Sequence, residues 1–344
     1  MIKYRRKLRE IILSLTNRCN LRCAMCQIPE NKNGQELTTD EVKALIKDAL
    51  TLTPHSIVFS GGEPLLRKDI FELISFVSQH NVRSCLTSNG TLLDEETANK
   101  LAEAGVNVVN ISIEGPEDVH DSLRGKGNYQ RALEALKNLS RYKIETTLAT
   151  LVCRQNYAFL PHVMALAHQW KILTVKFQPF SEIFLIDSEK QKDFFISADA
   201  FEDVKRSMEE VIVLSKEYKI ATNPGDYLRR LPFYLCGFRE KLRRKGCSAL
   251  WTSCPISATG EVYLCWVLSD KILGNIRDTQ LSKIWNSGAH HRLRQQISRQ
   301  GCVGCLMSCY DHHFEKLGHL LFLKGKRLLG ILKNARRHSL YTLF

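Results

Sequence analysis

The chain has 344 residues, enough for one large catalytic domain with a smaller appendage, and its 44% hydrophobic and 25% charged content is that of a globular protein. Lys and Arg outnumber Asp and Glu by 49 to 36, a formal charge of +13, which favours acidic partners without selecting among a peptide, a phosphorylated metabolite, nucleic acid or an anionic membrane. No apolar run is long enough to cross a bilayer and the basic amino terminus lacks a signal core, so the chain reads as cytoplasmic. Its 12 cysteines then argue for metal or cluster ligation over disulfides.

The first element is an apolar strand, Ile11, Ile12, Leu13 and Leu15, which runs into Cys19, Cys23 and Cys26. Three thiolates at this Cys-x3-Cys-x2-Cys spacing can hold three irons of a cube-shaped cluster and leave the fourth open. A structural zinc site closes all four positions, and no histidine lies nearby to complete one; a zinc knuckle or scattered buried thiols is the alternative. Downstream, Ser56 to Ser60, Arg83 to Thr87, Val106 to Ile113, Glu145 to Val152 and Leu173 to Phe177 read as strands. Helical patterns lie between them, opening at Thr39, running Asp94 to Ala104, and running Tyr129 to Tyr142. Repeated βα units predict a parallel sheet with its chemistry at the carboxyl ends of the strands.

Those strand ends carry Ser60-Gly-Gly-Glu-Pro64, Ser88-Asn-Gly-Thr91 and Ser112-Ile-Glu-Gly115, followed by His120-Asp-Ser-Leu-Arg-Gly125. The glycines allow close backbone approach, and Glu63 is placed to receive a cationic amino group. Together with the cysteine loop, this succession resembles the radical S-adenosylmethionine superfamily over residues 8–185. The resemblance implies a partial (β/α)6 barrel of TIM type and a [4Fe–4S] cluster on Cys19, Cys23 and Cys26. S-adenosylmethionine would be held with Gly61, Gly62 and Glu63 at its amino group, Ser112 at its ribose or carboxylate, Arg124 at its carboxylate, and Asn89 beside them. Glu114 departs by one methylene from the aspartate more often seen in the fourth-strand motif. The implied chemistry is reductive cleavage of S-adenosylmethionine to a 5′-deoxyadenosyl radical that abstracts hydrogen from substrate, with an electron donor such as flavodoxin or ferredoxin.

After Phe180 the pattern changes to a helix-rich connector, 186–235, and then to seven cysteines: Cys236, Cys247, Cys254, Cys265, Cys302, Cys305 and Cys309. Thr259-Gly-Glu-Val-Tyr-Leu-Cys265 reads as a hairpin that delivers Cys265 at a strand end. Residues 236–312 are similar to the SPASM and Twitch extensions of the same superfamily, which bind auxiliary iron-sulfur clusters. At least one such cluster is expected, on Cys247, Cys265 and members of the trio Cys302, Cys305 and Cys309, with Cys254 as a further ligand; a zinc ribbon is the alternative. Sulfatase-maturing relatives place a basic aspartate directly after a hairpin cysteine. Trp266 stands there in this chain, so that role is not carried over. Cys85 and Cys153 read as buried core thiols.

His120, Asp121, Asp311, His312 and His313 are acid–base groups without an assigned role. The final stretch, 313–344, reads as a basic amphipathic helix that docks on the protein itself or contacts the inner face of an anionic membrane. Family resemblance favours oxidative modification of a ribosomally made peptide; the alternative substrate is a small molecule, a tetrapyrrole or a lipid- or sugar-linked metabolite. An iron-sulfur or zinc-stabilised binding protein is the non-enzymatic alternative, and no nucleic-acid-specific feature is present.

Overall fold

The alternation of apolar runs and amphipathic stretches folds as parallel strands wrapped by helices. The structure is a computed structural model that describes residues 7–31, 34–185, 187–242, 247–301 and 304–307. Strands β1 (Glu10–Thr16), β2 (Ser56–Gly61), β3 (Arg83–Ser88), β4 (Val108–Ser112), β5 (Glu145–Val152) and β6 (Thr174–Pro179) pair in chain order, all parallel. Each crossover contains helix, from α1 (Thr39–Ala49), α2 (Ile70–Gln79) and α3 (Glu95–Glu103) to α4 (Glu117–Arg124), α5 (Asn128–Leu139) and α6 (Leu160–Gln169). This is the partial barrel that the resemblance implies.

Strand periodicity decides what faces inward. Leu13, Phe59, Leu86 and Val109 lie opposite one another across β1 to β4 and are buried beneath the helices. Their neighbours Ile12, Val58, Cys85 and Val108 form the adjacent row, which lines the barrel interior. Burying each large side chain of the outer layer contributes about 1.5–3 kcal/mol. Cys85 therefore differs from its expected place: β3 alternates, so the thiol lies on the inner wall and is half-buried, whereas Cys153 is fully buried as expected.

Local signals start the helices where the sequence predicts. Thr38 accepts the Glu41 N–H while Glu41 accepts that of Thr38, a reciprocal cap on α1, and Asp94 accepts the Thr97 N–H at the start of α3. The connector forms a long helix, Phe201–Glu217, whose Val204, Met208, Val211 and Ile212 join the barrel's own apolar core.

The cysteine-rich segment is built onto the barrel sheet. β7 (Ser253–Ile256) pairs parallel with β1, and β8 (Glu261–Tyr263) and β9 (Ile272–Asn275) follow antiparallel, so the described residues form a nine-stranded sheet in the order β6-β5-β4-β3-β2-β1-β7-β8-β9. Gly260 makes the hairpin turn at φ +91°, where a Cβ would meet Asn275 Oδ1 at 2.8 Å. Among the described residues no helix is long and apolar enough to cross a membrane. Cys302, Cys309, Asp311, His312, His313 and the basic stretch 313–344 lie outside the described residues.

Candidate functional site

The carboxyl ends of the strands open into a cavity of about 2120 Å³ that continues down the barrel interior. A small-ligand pocket is typically about 300–1,000 Å³, so this one has room for a cofactor and a substrate together. Cys19, Cys23, Cys26, Gly61, Gly62, Asn89, Ser112 and Arg124 all line it.

Backbone bonds pin the cysteine loop in place. Ala24 N–H donates to Leu123 O at 2.9 Å, at the end of α4, and Gln27 N–H donates to Phe184 O at 2.7 Å. Cys19 Sγ accepts the Leu21 N–H at 3.5 Å and the Asn89 amide at 3.8 Å. Asn89 is braced in turn by Asn20 and Thr91, which also bond each other at 2.7 Å. Burial raises all three thiols, Cys26 to about 11, and the Arg124 guanidinium partly offsets that rise at each.

Gly61 and Gly62 serve the cysteine loop. A Cβ on Gly61, at φ +122°, would lie 2.3 Å from Thr16 O, and one on Gly62 would lie 2.1 Å from Arg18 O. Gly62 N–H and Glu63 N–H donate to those carbonyls at 2.7 and 2.8 Å, tying the end of β2 to the loop that begins at Thr16. The Glu63 carboxylate, expected at an amino group, is fully buried and accepts from Ser88 Oγ (2.9 Å), Asn89 N–H (2.8 Å) and Leu65 N–H (3.2 Å). Burial still raises it to about 7. Its contact with the loop thus runs through Asn89.

The fourth-strand motif also closes on itself. Glu114 is fully buried; its Oε1 accepts Arg124 Nε at 2.7 Å and Nη2 at 2.5 Å, and its Oε2 accepts the Leu151 N–H at 2.8 Å. Burial raises Glu114. It pulls Arg124 down, yet Glu114 and the nearby thiols hold that guanidinium above its ordinary range. His120 is buried with Nδ1 accepting the Glu114 N–H at 3.2 Å, and burial lowers it to about 3, so it is neutral. Asp121 caps the Gly127 and Tyr129 N–H groups. Both histidine and aspartate hold the loop rather than face the cavity.

The later cysteines divide. Cys265 is buried with Ile12, Ala249 and Met307, and Cys247 and Cys305 pack against that same group. Cys265 Sγ accepts the Leu268 N–H at 3.3 Å. Cys254, expected to join them, is instead on the outer face of β7 opposite Ile11, in the barrel core beside Arg294, where burial pushes its thiol up to about 12. The parallel pairing of β7 with β1 turns it away from Cys265. Cys236 is also a core thiol.

The residues fit the groups that the resemblance implies. The three loop thiols feel one another electrostatically, yet no trio of His, Cys, Asp or Glu among the described residues is arranged to hold a single metal ion. The N–H groups aimed at Cys19 and Cys265 suit thiolate ligands. When bound at the loop, a [4Fe–4S] cluster with S-adenosylmethionine supplies reductive cleavage of the sulfonium bond. The chain's own part would be to hold the loop, seat the cofactor between the strand ends, and surround the substrate with protein.

Sequence reasoning missed Asn20 and Thr91 as supports of Asn89. It also missed Arg67, buried with Nη1 donating to Leu15 O and Leu37 O while Asp69 takes its other nitrogens. Inward-facing parity on β3 and β6 was the available signal for Cys85 and Lys176 on the cavity wall.

Comparison with known proteins agrees with this geometry. Residues 13–167 match the Radical SAM superfamily and residues 247–317 match the SPASM iron-sulfur cluster-binding domain. Fe-coproporphyrin III synthase of Methanosarcina barkeri is 36% identical over 170 residues, 48% of this chain, which spans less than half (43%) of that relative. An AdoMet-dependent heme synthase of the same organism is 28% identical over 349 residues, covering 93% of this chain and 98% of that protein. Mycofactocin maturase MftC of Mycolicibacterium smegmatis is 29% identical over 303 residues, 85% of this chain and 74% of that protein. In fold, the chain is similar to Streptococcus suis SuiB bound to precursor peptide SuiA, with TM-score 0.67 and 16% identity over 84% of this chain and 67% of that one. The chain belongs to the radical S-adenosylmethionine superfamily and is an enzyme that uses a [4Fe–4S] cluster and S-adenosylmethionine, with a SPASM domain for auxiliary iron-sulfur binding.

Proposed function

We propose that the enzyme abstracts hydrogen from a tetrapyrrole or similar carboxylate-bearing metabolite held in the barrel and so oxidises it. The observation that carries this reading is the cavity. Its volume of about 2120 Å³ exceeds what S-adenosylmethionine alone needs, and Lys176 is exposed on its inner wall as a cation for an anionic substrate. Similarity to the heme and Fe-coproporphyrin III synthases supports it. Gly61, Gly62, Asn89, Ser112 and Arg124 would cradle S-adenosylmethionine, with Glu63 fixing Asn89; Cys247, Cys265 and Cys305 would hold an auxiliary cluster together with Cys302 or Cys309. A reduced flavodoxin or ferredoxin would supply electrons in the cytoplasm, and 313–344 would meet an anionic membrane, which liposome flotation with a variant truncated at Gly318 tests.

Oxidative modification of a ribosomally made peptide is the second reading, favoured by similarity to mycofactocin maturase. Anaerobically reconstituted enzyme, given S-adenosylmethionine and dithionite, decides between them by mass spectrometry of iron coproporphyrin III and of peptides encoded beside the gene. Loss of 5′-deoxyadenosine in the Cys19, Cys23, Cys26 triple alanine variant is expected. Turnover of peptide alone would replace the first reading with the second.

A further inference from the structure

Trp266 stands where the resemblance leaves no inherited role, yet the fold gives it a defined place. Cys265 Sγ caps the short turn Trp266–Leu268 through the Leu268 N–H, which fixes the indole immediately beyond the buried cysteine. Tyr263, at the end of β8, lies with its ring centroid 5.2 Å from that of Trp266, tilted by 37°. Its hydroxyl donates to Glu261 Oε2 at 2.7 Å, so the phenol is held at one end. Both rings line the main cavity and stay part-exposed there, which a residue that merely filled the core would not do. Lys176 on β6, at the far edge of the sheet, lines the same cavity.

We propose that Trp266 and Tyr263 form the substrate's stacking face, selecting a flat conjugated ring whose carboxylates are met by Lys176. The inference deepens the tetrapyrrole reading and rests on it. Stacking needs a planar π surface, whereas the charge on Lys176 acts on any carboxylate, so the two contributions separate by choice of ligand.

Two probes carry the same carboxylates: iron coproporphyrin III, which is flat and conjugated, and coproporphyrinogen III, which is neither. Binding of each to the anaerobically reconstituted enzyme is titrated, by absorbance for the first and by equilibrium dialysis for the second, with iron content measured alongside. Wild type is expected to prefer the flat ring. Trp266→Leu should weaken that ring about tenfold, the equivalent of about 1.4 kcal/mol, while leaving coproporphyrinogen nearly unchanged; Trp266→Phe should keep most of the preference. Lys176→Gln should weaken both probes alike. Should Trp266→Leu lose iron because it follows Cys265, Tyr263→Leu serves in its place and should show the same selective loss. Wild-type binding of both probes with no change in either ring variant overturns this inference and leaves the tetrapyrrole reading standing. No binding of either probe by wild type overturns both.

Discussion

Replacing Glu114 tests whether the fourth-strand motif is a structural clamp. Its carboxylate is fully buried and lies 2.7 Å from Arg124 Nε, so at an effective dielectric of about 20 the attraction is about 6 kcal/mol. Desolvation of the two ions costs several kcal/mol each and cancels much of that gain. The larger effect comes from removing one partner, typically about 3–5 kcal/mol, because the other charge is left buried. Glu114→Gln keeps the shape and an acceptor for the Leu151 N–H but removes the charge. The Arg124 side chain remains 15% exposed towards the cavity, so the low end, about 3 kcal/mol, is expected. Glu114→Asp, which restores the residue more often seen in the motif, pulls the carboxylate back by one methylene. It cannot then reach both Arg124 and Leu151 N–H, and should cost about 1.5–3 kcal/mol for the charge-assisted bond that is lost. Glu114→Gln combined with Arg124→Gln should recover part of the loss. Urea unfolding of the reduced, metal-free protein measures each. A Glu114→Gln midpoint indistinguishable from wild type, or an aspartate variant more stable than wild type, refutes the clamp.

Gly62→Ala places a Cβ 2.1 Å from Arg18 O and should displace the cysteine loop, so reconstituted protein should bind fewer irons while its far-ultraviolet circular dichroism stays unchanged; full iron content would contradict the tie between β2 and the loop. Burial holds His120 and His290, the latter fully buried with Nδ1 3.0 Å from Trp285 O, at about 3, below the ordinary histidine range, so they bind fewer protons folded than unfolded. Their stabilising contribution is therefore complete above about pH 6.5 and lost as pH falls, at up to about 1.4 kcal/mol per unit for each. His290→Gln should flatten that slope between pH 6.5 and 5, and an unchanged slope would show that the neutral imidazole is not responsible. With Cys26 raised to about 11, the metal-free loop carries thiols, so cluster loading must release protons. Loading should accelerate from pH 7 to pH 9, and a flat profile would argue that the thiols are already ionised.

Much of the fold was legible because each signal was local. Alternating apolar residues marked β5 at its full span, Glu145–Val152, and Asp94 marked the start of α3, since strand periodicity and capping depend on near neighbours. Cysteine spacing marked the loop for the same reason. What spacing could not reveal was partnership. Cys254 follows Cys247 at a distance compatible with a shared site, but its direction is fixed by β7 pairing with β1, more than two hundred residues earlier in the chain. Cys85 was misplaced because a thiol in a strand says nothing about which face is buried until the neighbouring strands are in place.

The carboxylates of the strand-end motifs were legible as positions but not as contacts. Glu63 reads from the sequence as facing a ligand and Glu114 only as a departure from the usual aspartate, yet both are fully buried and bonded by donors from elsewhere in the chain, Ser88 and Asn89 at the end of β3 for Glu63, Arg124 of α4 and Leu151 of β5 for Glu114. A carboxylate withdrawn from water must be satisfied somewhere, and here it is satisfied by the groups that set the loops. Glu63 fixes Asn89, which reaches Cys19; Glu114 fixes Arg124, which lies near Cys23 and Cys26 electrostatically. Cofactor geometry therefore depends on residues one step removed from it. Substitutions at either glutamate should accordingly alter iron loading at the cysteine loop as well as stability, whereas the equally buried Leu86, in the outer row of β3 opposite Phe59 and Val109, should when changed to alanine cost about 2–5 kcal/mol of stability with iron content unchanged in the folded fraction. Equal iron loss per unit of stability at all three positions would reduce the glutamates to ordinary core residues.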